Sequence, residues 1–268
     1  MSEDTFELSF NDSSLGEQSF YKRHVGGHTF ADPIRRELKN PAVQVARKAW
    51  EDRTVSEYIG VMGMHYFHGL LVDVNAPMDV QELALLCVLQ EQQHCRRFRG
   101  IASHLGSSGQ LAVPIDELSI QRTDEPLNVQ IAKYVFGTLF CGEQIALDLL
   151  KWSINQVPES PYRTAMREIL KDEVLHTQMG TDLLTQMRDA SASWCDYPGD
   201  DWVRQFLGEY IEHMLSRNIV DAEEVACFDD PAQSAQLLEL GIPNTLAFKE
   251  QYLVSVENLK SKTDRFLN

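Results

Sequence analysis

Glu143 is the only charged residue between Lys133 and Asp148, in a run from Tyr134 to Leu147 that is otherwise uncharged. Glu57 is isolated in the same way: after Arg53 it is the only Asp, Glu, Lys or Arg before Asp73. Stretches this long with so little charge read as helices that are apolar nearly all round, and such helices belong in a core. A buried carboxylate without a partner costs several kcal/mol. The chain must therefore fold so that something reaches both.

The next helix after each isolated Glu carries a Glu-x-x-His: Glu91-Gln92-Gln93-His94 follows Glu57, and Glu173-Val174-Leu175-His176 follows Glu143. Residues three apart share a helix face, so each tetrapeptide can aim two ligands at one centre. The tetrapeptide alone is a weak signal in a chain with 21 Glu and 8 His. Its placement is the stronger one, because the order Glu, Glu-x-x-His occurs twice with separations of 34 and 30 residues. Four carboxylates and two imidazoles from four helices are the inventory of a carboxylate-bridged two-metal site in a four-helix bundle. The plainer alternative pairs each Glu with a basic neighbour; Arg53, one turn before Glu57, could serve, whereas no such residue shares the face of Glu143.

Helix signals place four long helices at about 42–72, 79–105, 127–156 and 161–189, with Asn75 or Asp79 as caps for the second. The links are short (73–77), long (106–126, with Pro114 and Pro126) and short (157–161). That is the connection pattern of a bundle with one long crossover. Further helices are expected near 200–218 and 243–266, with an unassigned piece between, packing on the bundle or forming a homodimer contact. Residues 1–18 are acidic and Ser-rich and read as a disordered tail without a leader sequence; residues 19–268 read as one all-α domain.

A formal charge of −16 disfavours nucleic acid and anionic membrane surfaces as partners. The longest apolar stretch, Tyr58 to Val72, is shorter than a spanning helix needs and contains His65 and His68. Five cysteines (Cys87, Cys95, Cys141, Cys195, Cys227) are odd in number and widely spaced, which suits a reducing, cytoplasmic compartment rather than a disulfide framework.

On these residues the chain resembles the ferritin-like di-iron carboxylate superfamily over roughly 42–189. The resemblance implies that Glu57, Glu91 and His94 serve one iron and Glu143, Glu173 and His176 the other, with Glu91 and Glu173 as bridges. Oxygen-rich ligands with one imidazole per ion suit iron or manganese better than zinc. In many members the residue before each Glu-x-x-His glutamate bonds the histidine of the opposite half, which pairs Asp172 with His94 and Gln90 with His176. The implied activity is that of a non-haem di-iron oxygenase or oxidase with dioxygen as co-substrate and an external electron donor or reductase. A ferroxidase or iron-handling protein is the alternative, and a metal-free helical interaction protein the third.

The residues one turn from the ligands bear on the substrate. Gly60, Met64, Cys87, Phe136 and Phe140 are small or apolar and are expected to line a pocket for a small, largely apolar organic molecule. His68 shares the face of Glu57 but lies three turns away, about 16 Å at 1.5 Å per residue, too far to be a ligand. A hydrogen-bonded core histidine is the expectation there. Glu209, Glu212 and His213 read as a polar helix face.

Overall fold

The computed structural model describes residues 5–8, 30–32, 36–114, 122–216 and 230–267. They are predominantly helical. The first helix, α1, spans Pro41–Asp73, and α2 spans Met78–His104. After the connection come α3 (Leu127–Tyr134), a π-helical segment (Val135–Gly142) and α4 (Glu143–Gln156), with helical backbone at both junctions. Next are α5 (Pro161–Arg188), α6 (Asp200–Ser216), α7 (Pro231–Glu239) and α8 (Thr245–Leu267).

Local chemistry sets several of these boundaries. The Asn40 side chain accepts from the Ala42 N–H with Pro41 next in line, and Ser160 accepts from the Arg163 N–H with Pro161 next. Both follow the preference for a polar cap followed by Pro at the first helical position. The start of α2 differs from expectation. Pro77 occupies the cap position with no side-chain cap bond, and Asn75 adopts a left-handed backbone (φ 52°) in the preceding turn. Pro77 has no side-chain acceptor to offer the first N–H groups of the helix, so α2 begins without the side-chain cap expected from Asn75 or Asp79.

The long helices pack pairwise around a shared interior: α1 lies on α2 and α3, α2 on α5, and α5 on both the π segment and α4. Helix α8 covers α4, α6 covers the π segment, and α7 lies against the N-terminal half of α1. The interior has two apolar halves. One contains Ala46, Trp50, Phe98, Ile101, Ile154, Tyr162 and Met166; the other contains Met64, Phe67, Cys87, Leu139, Phe140, Met179 and Leu183. Along α1, α2 and α5, Glu57, Glu91, His94, Glu173 and His176 fall in the gap between the two halves.

Within the stretch 1–18, expected to be a disordered tail, Thr5–Leu8 instead forms a strand, β1, antiparallel to β2 (Leu111–Pro114). The reason is apolar cover. Leu8, Leu111 and Val113 are buried and pack with Val55, Tyr58 and Ile59 of α1. An α1 that is apolar on most of its circumference needs that cover on its outer side. The rest of that stretch, most of 19–35, part of the crossover, residues 217–229 and Cys227 lie outside the described residues. Cys87, Cys95, Cys141 and Cys195 are free thiols and buried. Among the described residues no helix is long and apolar enough to cross a membrane.

Candidate metal centre

Four helices deliver the six residues to one place. Glu57 comes from α1, Glu91 and His94 from α2, Glu143 from the first position of α4, and Glu173 and His176 from α5. Ligand atoms of Glu57, Glu91, His94 and Glu173 all lie within 4.8 Å of one another, as do those of Glu91, Glu143, Glu173 and His176. Glu91 and Glu173 belong to both groups. Each group therefore has its own imidazole and its own terminal carboxylate, and the two share a pair of carboxylates.

Both imidazoles present Nδ1 to this cluster. His94 Nδ1 is 3.2 Å from Glu57 and 3.3 Å from Glu173, and His176 Nδ1 is 3.3 Å from Glu91 and 3.4 Å from Glu173. The Nε2 atoms face away from it. His94 Nε2 lies 3.1 Å from Asp172 Oδ2, and His176 Nε2 lies 3.1 Å from Gln90 Oε1. Gln90 Nε2 donates to Asp172 Oδ1 at 2.9 Å. A carboxylate only accepts, so His94 must carry its proton on Nε2; Asp172 also orients the Gln90 amide so that its oxygen accepts from His176 Nε2. One chain, His94–Asp172–Gln90–His176, thus keeps a proton on each Nε2, so that Nδ1, which faces the carboxylates, is the nitrogen whose lone pair is freed when a ring becomes neutral.

Protonation follows from burial and crowding. Glu91 is raised well above the usual carboxylate range by burial, with the charges of Glu57, Glu143 and Glu173 adding to it. Burial and then the charge of Glu173 push Glu143 up to about 8. For Glu173, burial is outweighed by the two imidazoles that face it, His176 and then His94, which hold it below its usual range. Burial alone would lower His94, but its bonds to Asp172, Glu173 and Glu57 carry it up to about 12. His176 is raised likewise, with Cys87, Glu143 and Glu173 overriding burial. In the metal-free chain, retained protons offset the crowded negative charge of the layer.

The cluster fits a pair of cations on a direct observation. His176 Nδ1 and Glu173 Oε2 are buried, face each other at 3.4 Å, and neither makes a hydrogen bond. Orphaned atoms of that kind cost free energy unless something occupies the space between them. Four carboxylates also balance the charge of two divalent ions, which lets the whole layer be neutral inside an apolar interior. Arg53, the alternative partner considered for Glu57, has its guanidinium 4.6 Å over the Trp50 ring.

Two cavities flank the cluster. One, about 170 Å³, reaches Glu57 and Glu173 and is lined by Phe98, Leu149, Met166, Ile169 and Phe248, with Arg53 and Ser56 beside them. The other, about 390 Å³, reaches Glu143 between α1 and the α3–π stretch and is lined by Ile59, Gly60, Gly63, Met64, Tyr134 and Thr138. Gly60 leaves room for the Glu91 carboxylate where it stands, since a Cβ there would sit 2.6 Å from Glu91 Oε2 and force it to move.

Of the five pocket residues expected from sequence, Gly60 and Met64 line the second cavity. Cys87, Phe136 and Phe140 line neither. They are fully buried: Cys87 Sγ lies 3.9 Å from Met179 Sδ, Phe136 packs against Trp202 and Phe266, and Phe140 against Phe266. The π segment directs that face of the third helix toward α6 and α8 rather than the cluster. His65 is exposed and His68 half-buried rather than in the core, and neither joins the cluster. Glu209, Glu212 and His213 are exposed on α6.

Tyr134 and Thr138 were not among the residues singled out from sequence. On a regular α-helix Tyr134 and Glu143, nine residues apart, project about 180° from one another. The pairing is therefore invisible to α-helical periodicity. The Gly60 and Gly63 pair in α1 was the available signal, because small residues one turn apart mark a place where something comes close.

In comparisons with protein-family models, curated proteins and solved structures, nothing matches this chain.

Proposed function

We propose that α1, α2, the α3–π–α4 stretch and α5 form a ferritin-like bundle, and that the protein is a non-haem di-iron oxygenase or oxidase acting on a small, largely apolar organic substrate. The observation that carries this reading is the sharing of Glu91 and Glu173 between two ligand groups that each have their own Glu and His. Two iron ions held there, with manganese as the alternative metal, supply the electrons that activate dioxygen.

The chain's own residues do the rest. Asp172 and Gln90 hold the imidazoles in the ligating tautomer, and Gly60 leaves room for the Glu91 carboxylate. The two apolar halves bury Glu91, Glu173 and both imidazoles between them, which strengthens the charge interactions there. Helices α6 and α8, which pack on the π segment and α4 outside the four bundle helices, favour a dedicated enzyme over iron storage. An electron donor from outside the chain and a cytoplasmic location complete the proposal.

The test is metal content and oxygen use together. Protein produced with iron should contain close to two ions per chain and consume dioxygen once reduced; Glu143→Ala should lose at least one ion and the oxygen uptake. Wild-type protein free of metal, or Glu143→Ala with undiminished metal, would overturn the two-metal site. Uptake of many irons per chain would replace the enzyme reading with storage.

A further inference from the structure

The Tyr134 hydroxyl is buried and has no hydrogen-bond partner. Its ring is held rather than free, because it stacks on Phe67 with centroids 4.8 Å apart and planes 9° from parallel. The hydroxyl sits close against glycine: a Cβ at position 63 would be 3.0 Å from Tyr134 Oη, tighter than ordinary contact. Tyr134, Gly63 and Glu143 all line the 390 Å³ cavity.

The polar groups nearer the mouth of that cavity are already engaged. Tyr66 Oη donates to Gln130 Oε1 at 2.9 Å, the Gln130 amide donates to the Thr123 and Glu125 carbonyls, and Lys133 Nζ is paired with the Glu125 carboxylate at 2.6 Å. Against that background a fixed, unpartnered donor beside the carboxylate layer calls for an explanation. Burial and the charges of Glu143 and Glu91 keep the phenol protonated, so the hydroxyl is available as a donor.

We infer that this cavity is the substrate site and that Tyr134 selects the substrate, a neutral, mainly apolar molecule bearing an oxygen acceptor that takes the Tyr134 hydrogen bond beside Glu143. The inference rests on the metal-centre reading and adds the substrate class to it. A cavity of about 150 Å³ already accepts a benzene ring, so this one has room for a ring with a short chain. Ile59 and Met64 supply apolar wall. An anionic ligand would meet Glu143 at the inner end, and a cation would leave the phenol donor unused. A neutral acceptor satisfies the hydroxyl and adds no charge to the layer.

The experiment measures affinity of the zinc-loaded, redox-inert protein for acetophenone and for its isostere α-methylstyrene, which has =CH₂ in place of the carbonyl oxygen. Wild type should bind acetophenone about tenfold tighter, the worth of one hydrogen bond to an otherwise unsatisfied donor. Tyr134→Phe should abolish that preference while leaving α-methylstyrene binding as tight or tighter, with no loss of thermal stability, since the hydroxyl it removes has no partner. Equal binding of the two probes by wild type, binding of neither, or a preference that survives Tyr134→Phe overturns the inference. Metal content is counted on the same samples: two ions per chain without a preference sinks the substrate class alone, whereas a preference without metal sinks the metal centre alone.

Discussion

At the scale of single residues, the outer side of the cluster matters as much as its ligands. Asp172 is held below its usual range first by its bond to His94, and through Gln90 it also orients His176. Asp172→Asn leaves one acceptor oxygen where the carboxylate has two, so the side chain can no longer accept from both His94 Nε2 and the Gln90 amide, and one of the two imidazoles loses its orientation. Metal affinity should fall about tenfold to a hundredfold with little change in fold, which a competition titration against a chelator of known affinity would measure. Unchanged affinity would mean that the imidazoles are oriented by packing alone. Asp172 and Gln90 were legible beforehand because each directly precedes its Glu-x-x-His glutamate, and on a helix that fixes where they project relative to the ligands.

At the scale of elements, the π segment is the decisive one. Bonding from i to i+5 turns the chain less per residue than an α-helix does, and over Val135–Gly142 this brings Tyr134 and Glu143 onto one cavity. The widened segment is held in place by α5: at Gly180 a Cβ would lie 2.7 Å from the Leu139 carbonyl carbon and 2.8 Å from its oxygen. Those are backbone atoms and cannot swing aside, so Gly180→Ala must push the two helices apart. Denaturant unfolding should show a loss of about 1–3 kcal/mol, and metal content should fall because Glu143 begins the helix that follows. Full metal content in a destabilised variant would show that the ligands tolerate movement of the π segment. Helix boundaries, in contrast, were readable to within a residue or two wherever Asn-Pro, Ser-Pro or a proline pair punctuated the chain.

At the scale of the whole molecule, the buried charged layer couples stability to pH. In the metal-free chain Glu143 is pushed up to about 8 from 4.5, and His94 up to about 12 from 6.5. The folded chain then holds more protons than the unfolded one from 4.5 to about 8 for the first group and from 6.5 to about 12 for the second. Stability that is fully present below the unfolded values is therefore lost as pH rises through those windows. Asp172 and Glu173, both lowered, act in the opposite sense, and their contribution is lost only as pH falls through the acid range. Calorimetry with chelator present should show the melting temperature falling from about pH 5 to about pH 9. Added manganese under nitrogen should flatten or reverse the slope, because binding releases the protons that held the layer together. A metal-free protein that grows more stable toward pH 9 would show that the folded carboxylates and imidazoles do not retain those protons.

The sequence by itself determined the candidate Glu and His cluster and the helices that carry it. Two carboxylates isolated in apolar runs, each followed by Glu and His three apart, can be buried together only if four helices face one another, and period and capping residues mark where those helices begin and end. Tertiary structure alone decided which side of the third helix meets the cluster. A π segment is written in the same apolar residues as an α-helix, so the count of residues from Tyr134 to Glu143 does not state the angle between them; close packing at Gly180 and burial beneath α6 accompany the wider turn. That choice sent Phe136 and Phe140 into the core and brought the Tyr134 hydroxyl to the cavity. The Thr5–Leu8 strand has the same origin, since four residues of a short acidic segment acquire a place only when β2 and the outer face of α1 are there to cover.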